Sequence, residues 1–79
     1  MKYVYILQSD IDPERFYVGT TLDLKRRLAE HNSGETGHTR KFAPWNLVNY
    51  VAFSNHQKAD HFEKYLKSGS GRAFAKKHF

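Results

Sequence analysis

The stretch Tyr3–Gly19, YVYILQSDIDPERFYVG, decides the fold that we predict for this chain. β-Branched and aromatic residues alternate along both of its ends, and a polar turn rich in Asp separates them, which is typical of a β-hairpin. We expect a register that pairs Leu7 with Arg15. This register places Tyr5 opposite Tyr17, with the two Cβ atoms roughly 5 Å apart. The predicted hairpin therefore has one apolar face and one face with two neighbouring phenols.

Composition and charge limit the class of protein. The 79 residues are expected to form one domain over 1–79, near the lower size limit for a core that folds unaided. The chain has no cysteine, which excludes disulfides and thiolate metal sites and favours the reducing cytoplasm. We recognise no signal peptide and no apolar run that could span a membrane. The formal net charge of +5 favours an anionic partner, nucleic acid before a membrane surface.

The segment that follows the hairpin predicts a helix. Thr20–Thr21 can cap a helix that begins near Leu22, and Gly34 supplies a left-handed cap at its end. Leu24 and Leu28 lie four residues apart and form its buried stripe. The polar side of this helix is rich in Lys and Arg. We therefore expect a helix with one face on the sheet and one basic face in solvent.

The remaining chain predicts one further strand and two helices. After a polar loop at 35–44, Trp45–Phe53 reads as a third strand that is apolar enough to be largely covered. Ser54 with Gln57 forms a capping box that opens a second helix. Ser68–Gly71 ends that helix, and a short basic helix follows. The order predicts an α+β fold with an antiparallel or mixed three-stranded sheet and helices packed on it.

Five side chains are candidates for phosphodiester chemistry. Such chemistry needs cations where charge builds on the phosphoryl oxygens and a group that takes a proton from water. Arg27 offers a permanently charged planar fork suited to phosphate. Glu63 is a hard carboxylate of the kind that holds Mg²⁺. Tyr5, Tyr17 and His31 are the candidates for proton transfer: a Tyr base needs a strongly lowered pKa, whereas an ordinary His already titrates near neutral pH.

Each of these residues also has a structural interpretation. Tyr5 and Tyr17 could be an ordinary cross-strand aromatic pair that stabilises the hairpin. Arg27 could belong to a solvated helix face, and His31 could complement the dipole at the end of that helix. Glu63 could form an exposed salt bridge. Taken singly, none of these residues decides the function.

Together, these residues resemble the GIY-YIG nuclease superfamily over nearly the whole chain. Its two motifs appear here as Tyr3–Tyr5 (YVY) and Tyr17–Gly19 (YVG). Arg27 lies in the helix after the second motif, as in the endonuclease domain of the excinuclease C subunit. Glu63 falls where the family has its metal-binding glutamate. The run His31–Gly34 (HNSG) is similar to that of small stand-alone bacterial members.

The resemblance implies a three-stranded antiparallel sheet flanked by helices, in the order β-β-α-β-α-α, and a single Mg²⁺ or Mn²⁺ site held by Glu63. It implies that Tyr5 or Tyr17, with His31 as a further candidate, orients or deprotonates the attacking water. Arg27 would stabilise the charge that develops on the phosphate. Contacts to nucleic acid are expected from a set of small, polar and basic residues: Gly19, Lys25, Arg26, Thr39, Arg40 and Lys41.

The function that we expect is a metal-dependent endonuclease acting on DNA in the cytoplasm, in DNA repair or processing. Branched, damaged and single-stranded DNA are the candidate substrates. One alternative is a basic nucleic-acid-binding module with little or no catalytic activity. Another is a protein-interaction domain that reuses the scaffold, because a fold does not fix a function. The complete set of tyrosines, arginine and glutamate favours the enzyme over the interaction domain.

Overall fold

The computed structural model describes residues 1–79 and contains three strands and four helices. The strands are β1 (Lys2–Ser9), β2 (Phe16–Thr21) and β3 (Trp45–Phe53). The helices are α1 (Leu24–Ser33), α2 (Gly37–Arg40), α3 (His56–Leu66) and α4 (Gly69–His78). The α2 helix is a single turn inside the segment that was predicted as a polar loop. None of the helices combines the length and hydropathy that a membrane crossing requires.

The sheet is antiparallel, with strand order β2-β1-β3, so β1 is its central strand. Successive side chains of β1 point to opposite faces. Val4 and Ile6 are buried under α3 and α4, whereas Tyr5 and Leu7 are buried under α1 and the segment that precedes β3. The sheet therefore lies between two layers of helix, and the prediction of a three-stranded α+β fold is confirmed.

The register of β1 and β2 differs by two residues from the predicted one. Tyr5 pairs with Gly19, whereas the prediction placed Tyr17 opposite Tyr5. The cause is a compact turn closed by the hydroxyl of Ser9. The Ser9 N–H donates to the Arg15 carbonyl at 3.0 Å, so Arg15 pairs two residues further along β1 than expected. Because the shift is even, Tyr5 and Tyr17 remain on one face of the sheet, as diagonal neighbours.

The prediction that β3 is largely covered is wrong. Trp45 is the only buried residue of this strand, and Leu47, Val48 and Tyr50 are exposed. The reason is the position of β3 at an edge of the sheet, where it has a neighbouring strand on one side only. A shift in the β1–β3 register beside Leu47 adds a local irregularity. An apolar composition alone does not separate an edge strand from a central one.

Two helix caps also lie slightly beyond their predicted positions. The α1 helix is capped by Asp23 rather than by Thr20–Thr21, and α3 is capped by Asn55 rather than by Ser54. In both cases the carboxylate or amide oxygen accepts a hydrogen bond from a first-turn N–H, at 3.1 and 3.0 Å respectively. These are preferred capping residues. Gly34 ends α1 in the left-handed conformation, with φ of 82°, as expected.

The segment Ser68–Gly71 begins a helix, although it was predicted to end one. Ser68 caps α4 by accepting a hydrogen bond from the Gly71 N–H at 3.1 Å, and Gly69 is the first residue of the helix. Gly71 is buried against the last turn of α3. A Cβ atom at this position would overlap the carbonyl oxygen of Tyr65, whereas a Cβ atom at Gly69 would meet open space.

We expect the substitutions Gly71→Ala and Gly69→Ala to have different effects on the free energy of unfolding. In a helix Ala is favoured over Gly by about 1 kcal/mol, so Gly69→Ala should leave stability unchanged or raise it. Gly71→Ala should lower it by roughly 1–3 kcal/mol because the new methyl group forces α3 and α4 apart. Urea unfolding followed by circular dichroism measures both. Equal effects of the two substitutions would contradict the close approach of α3 and α4.

Candidate active site

Tyr5 lies at the centre of the candidate site. Its side chain projects from the central strand, and the residue is only 1% exposed. The centroid of its ring lies 6.3 Å from that of Tyr17 and 5.8 Å from that of His31. A Cβ atom at Gly19, its cross-strand partner, would lie 2.5 Å from the Tyr5 hydroxyl oxygen. The glycine therefore makes room for the phenol.

A chain of hydrogen bonds leads from the Tyr5 hydroxyl into the interior. The hydroxyl oxygen lies 2.9 Å from Nε2 of His31, and Nδ1 of His31 lies 2.7 Å from Oγ1 of Thr39. The Thr39 hydroxyl is also within 3.4 Å of the Thr36 carbonyl, to which it can donate. With the proton of His31 on Nδ1, the imidazole donates to Thr39 and accepts from Tyr5. The other tautomer reverses both bonds.

Burial keeps Tyr5 and His31, the two titratable members of this hydrogen-bond chain, neutral. Desolvation lowers the pKa of His31, and the positive charge of Arg27 lowers it further. Desolvation raises the pKa of Tyr5, while the nearby Arg27 guanidinium opposes that rise. Interaction with the neighbouring Tyr17 phenol and with the negative charge of Glu63 adds to the increase in the pKa of Tyr5. At neutral pH we therefore expect a phenol next to an uncharged imidazole, with Arg27, Tyr17 and Glu63 within electrostatic reach.

Arg27 is held in place by an acidic residue that we did not single out from the sequence. Its Nη1 lies 2.9 Å from Oε1 of Glu30, one turn further along α1, and Arg26 approaches the same carboxylate at 3.6 Å. Glu30 is the main cause, and Tyr5 a further cause, of the raised pKa of Arg27. The spacing of three residues on a helix could have indicated this pair. The Arg27 side chain is 33% exposed, so a ligand can still reach it.

Glu63 supplies the carboxylate of the candidate site from α3. Its side chain is 22% exposed, and Oε2 lies 3.1 Å from Nζ of Lys67. The Oε1 atom makes no hydrogen bond to protein. The charge of Glu63 is the weakest of the causes that raise the pKa of Tyr5, so the carboxylate lies within electrostatic range of that hydroxyl, although α3 packs on the opposite face of the sheet. The carboxylate thus has one oxygen available for a ligand.

The residues present fit a hydrated divalent ion and not a cage of protein ligands. No group of three or more His, Cys, Asp or Glu side chains is positioned to hold a metal. Glu63 offers one free carboxylate oxygen. Mg²⁺ keeps several of its waters and is often bound through one or two carboxylates together with substrate phosphates. The one free carboxylate oxygen of Glu63, together with the phosphate of a substrate, would meet that requirement.

The residues expected to contact nucleic acid do not all lie on the surface. Thr39 was predicted to contact nucleic acid. It is 1% exposed and hydrogen-bonded to His31, so its side chain is not available for that contact. Its hydroxyl instead completes the hydrogen-bond chain from Tyr5. Gly19 is buried beneath the Tyr5 ring. The exposed members of the predicted set are Lys25, Arg26, Arg40 and Lys41.

Asn32 connects the end of α1 to the start of β3. Its Oδ1 accepts a hydrogen bond from the Trp45 N–H at 2.5 Å, and its Nδ2 donates to the Trp45 carbonyl at 3.1 Å. The Trp45 indole in turn donates to the Thr39 carbonyl at 2.8 Å. These bonds fix the segment that carries His31 and Thr39. Sequence reasoning noted the run HNSG as part of a resemblance but did not predict this role for its amide.

Comparisons with known proteins agree with the geometry. The family model of the GIY-YIG catalytic domain matches residues 1–77. A UPF0213 protein of Haloquadratum walsbyi is 39% identical over 67 residues, which cover 84% of this chain and 73% of that protein. The structure-specific endonuclease subunit SLX1 of Ajellomyces capsulatus is 38% identical over 65 residues, which cover 75% of this chain but only 15% of that subunit.

A solved structure is similar as well. The solution structure of a UPF0213 protein from Bacillus halodurans has a TM-score of 0.57 and 35% identity to this chain, and the match covers 96% of this chain and 81% of that one. The fold and the family match define a nuclease domain. The chain belongs to the GIY-YIG family. The resemblance that the two tyrosine motifs indicated is confirmed.

We expect the buried imidazole to make stability depend on pH. Because burial holds the pKa of His31 in the folded chain below that in the unfolded chain, the unfolded state takes up the proton first as the pH falls. The free energy of unfolding should therefore fall as the pH drops below the ordinary histidine range. Urea unfolding at pH 7.5 and pH 5.5 measures this change.

His31→Gln should weaken this pH dependence, while His61→Gln, at an exposed position of α3, should retain it. A His31→Gln variant with the full wild-type pH dependence would show that another group is responsible.

Proposed function

We propose that this chain is a metal-dependent endonuclease domain that hydrolyses phosphodiester bonds of DNA in repair or processing, in the cytoplasm. The observation that supports this most is that two neighbouring phenols and a guanidinium held by Glu30 lie together in a GIY-YIG fold, with the carboxylate of Glu63 within electrostatic range of Tyr5. The name of the SLX1 relative, a structure-specific endonuclease subunit, supports DNA of irregular structure as the substrate class. The net charge of +5 suits a polyanion.

Arg27 binds the phosphate that is to be cleaved. Negative charge increases on the phosphoryl oxygens as the bond to the leaving group breaks, and a preorganised cation lowers the energy of that state. The hydrogen bond from Arg27 to Glu30 holds the guanidinium in one orientation before the substrate binds. The nitrogens that do not contact Glu30 remain as donors.

Tyr17 orients the attacking water and accepts its proton. Its ring is half-buried, so the hydroxyl can reach a substrate, and Arg27 interacts with it electrostatically. Tyr5 is too deeply buried to share that role in the same way. Tyr5 and His31 act as positioning residues that fix the place of the Tyr17 ring, whose centroid lies 4.9 Å from that of His31.

Glu63 is the residue that would hold the Mg²⁺ or Mn²⁺ ion, through the oxygen that Lys67 leaves free. A bound divalent ion supplies Lewis-acid stabilisation of charge on the phosphate and leaving oxygens. The Lys67 ion pair keeps the carboxylate oriented along α3. Arg40 and Lys41 contact the DNA backbone outside the reacting phosphate. Such contacts position a duplex without reading its sequence.

A nucleic-acid-binding module with little catalytic activity is the second candidate. Two observations favour it: the Tyr5 hydroxyl is committed to His31, and Lys67 occupies one oxygen of Glu63. Such a module would keep the basic surface and the salt-dependent affinity for DNA. It would differ from the enzyme in having no metal-dependent cleavage.

We expect the purified chain to nick supercoiled plasmid and branched DNA in the presence of Mg²⁺ and not in EDTA. Tyr17→Phe removes the proton acceptor, and Glu63→Gln removes the anionic ligand while keeping the side-chain size. Each should lower the rate of nicking about a hundredfold or more. The appearance of open circular plasmid on a gel measures the rate.

Two matched substitutions control for effects on folding. Tyr65→Phe and Glu35→Gln make the same chemical changes at exposed positions and should leave the rate unchanged. Nicking in EDTA, or full activity of the Tyr17 and Glu63 variants, would contradict the proposed chemistry. Tight binding of DNA by all variants without any nicking would favour the binding module.

A further inference from the structure

A cavity of about 360 Å³ opens on the same face of the sheet as Tyr5 and is not used by the proposed chemistry. Two tyrosine rings form one wall: the centroids of Tyr3 and Tyr50 lie 5.9 Å apart, with an edge-to-face angle of 66°. The beginning of α1 forms the other wall. Its lining residues there are Leu22, Asp23, Leu24 and Lys25.

Much of this aromatic and apolar surface is uncovered. Tyr50 is 49% exposed and Leu22 is 64% exposed. Exposed apolar surface that surrounds a concave site is a feature of ligand-binding positions. The cavity is at the small end of the range of about 300–1,000 Å³ that ligand pockets occupy. It therefore suits a flat group of the size of a nucleobase and not a large ligand.

The charges around the cavity favour a neutral group inside it and an anion at its rim. Asp23 lines the cavity, so a bare phosphate inside would meet a carboxylate. Lys25 also lines it, is exposed and makes no ion pair. By contrast, Arg26 and Arg27 on the same helix both pair with Glu30. Lys25 is thus the cation of this helix that is free to bind a phosphate next to the cavity.

The position of the cavity connects it to the site of cleavage. Tyr3 is two residues before Tyr5 on β1 and points to the same face, which places the two side chains about 7 Å apart along the strand. On α1, by contrast, Lys25 and Arg27 are two residues apart and do not face the same side of the helix. The connection therefore runs along β1: a nucleotide next to one whose phosphate is bound by Arg27, near Tyr5, would lie over the cavity at Tyr3.

We propose that this cavity binds one unpaired nucleobase of the DNA, stacked on the ring of Tyr50 with the ring of Tyr3 against its edge, and with the phosphate of that nucleotide on Lys25. The proposal rests on the proposed function for the class of substrate. Every base has a π-face, so stacking on tyrosine is independent of sequence. A base inside a duplex is already stacked and cannot enter. The cavity consequently selects DNA with unpaired or splayed nucleotides, such as a branch or a frayed end.

The test is a binding measurement by fluorescence anisotropy in EDTA, where cleavage does not interfere. Three labelled probes with the same number of phosphates are compared: a single-stranded oligonucleotide, the same strand with abasic sites, and a blunt duplex. The wild-type chain should bind the single strand about fivefold or more tightly than the abasic strand. Tyr50→Leu should remove this preference, and Tyr50→Phe, which keeps the ring, should retain it.

A pair of lysine substitutions separates the phosphate contact from a general charge effect. Lys25→Gln should weaken binding of the single strand more than Lys58→Gln, which removes the same charge from an exposed position of α3. Equal binding of the single strand and the abasic strand by the wild-type chain would overturn the proposal. So would an unchanged preference in Tyr50→Leu.

These outcomes are independent of the nicking assay. A preference for unpaired bases that depends on Tyr50, in a chain that does not nick DNA, would support the cavity and contradict the endonuclease. Nicking by a chain in which Tyr50→Leu binds every probe as the wild type does would support the endonuclease and contradict the cavity.

Discussion

The buried hydroxyl of Tyr5 is the constraint on which the arrangement of this small domain depends. A hydroxyl in an apolar layer destabilises the fold unless it is hydrogen-bonded. His31 provides that bond at 2.9 Å, and its second nitrogen is in turn bonded to Thr39 at 2.7 Å. Polar bonds therefore join α1 and α2 to the sheet, in addition to apolar packing. No buried side-chain nitrogen or oxygen is left without a partner.

The architecture was predictable because alternation along a strand determines which face each side chain takes. The two-residue error in register left Tyr5 and Tyr17 on one face, since an even shift preserves the alternation. The register itself depends on a turn that the Ser9 side chain and the Arg15 carbonyl close, and composition does not show such bonds. The exposure of β3 was missed for a similar reason, because its position at an edge is a property of the whole sheet.

The residue types of the candidate site could be predicted from the sequence, but the burial of its residues could not. Arg27 follows from its place on a helix after the second tyrosine motif, and Glu30 could have been found by its spacing from Arg27. The burial of Thr39 could not have been predicted, because it depends on the packing of α2 against α1 and on the hydrogen bond from the indole of Trp45. The same packing makes His31 a partner of Tyr5 and keeps it out of contact with solvent.

The two ends of α1 are held in different ways. The Asn32 amide pairs with both backbone groups of Trp45, much as a neighbouring strand would, and so anchors the last turn of the helix to the sheet. The hydrogen bonds around the first turn are local, between Thr21, Asp23 and Arg26. The last turn is therefore held by polar bonds to the backbone of β3, and the first turn by the apolar packing of Leu24 against the core. Loss of the Asn32 amide would loosen the end that carries His31 and leave the cap at Asp23 intact.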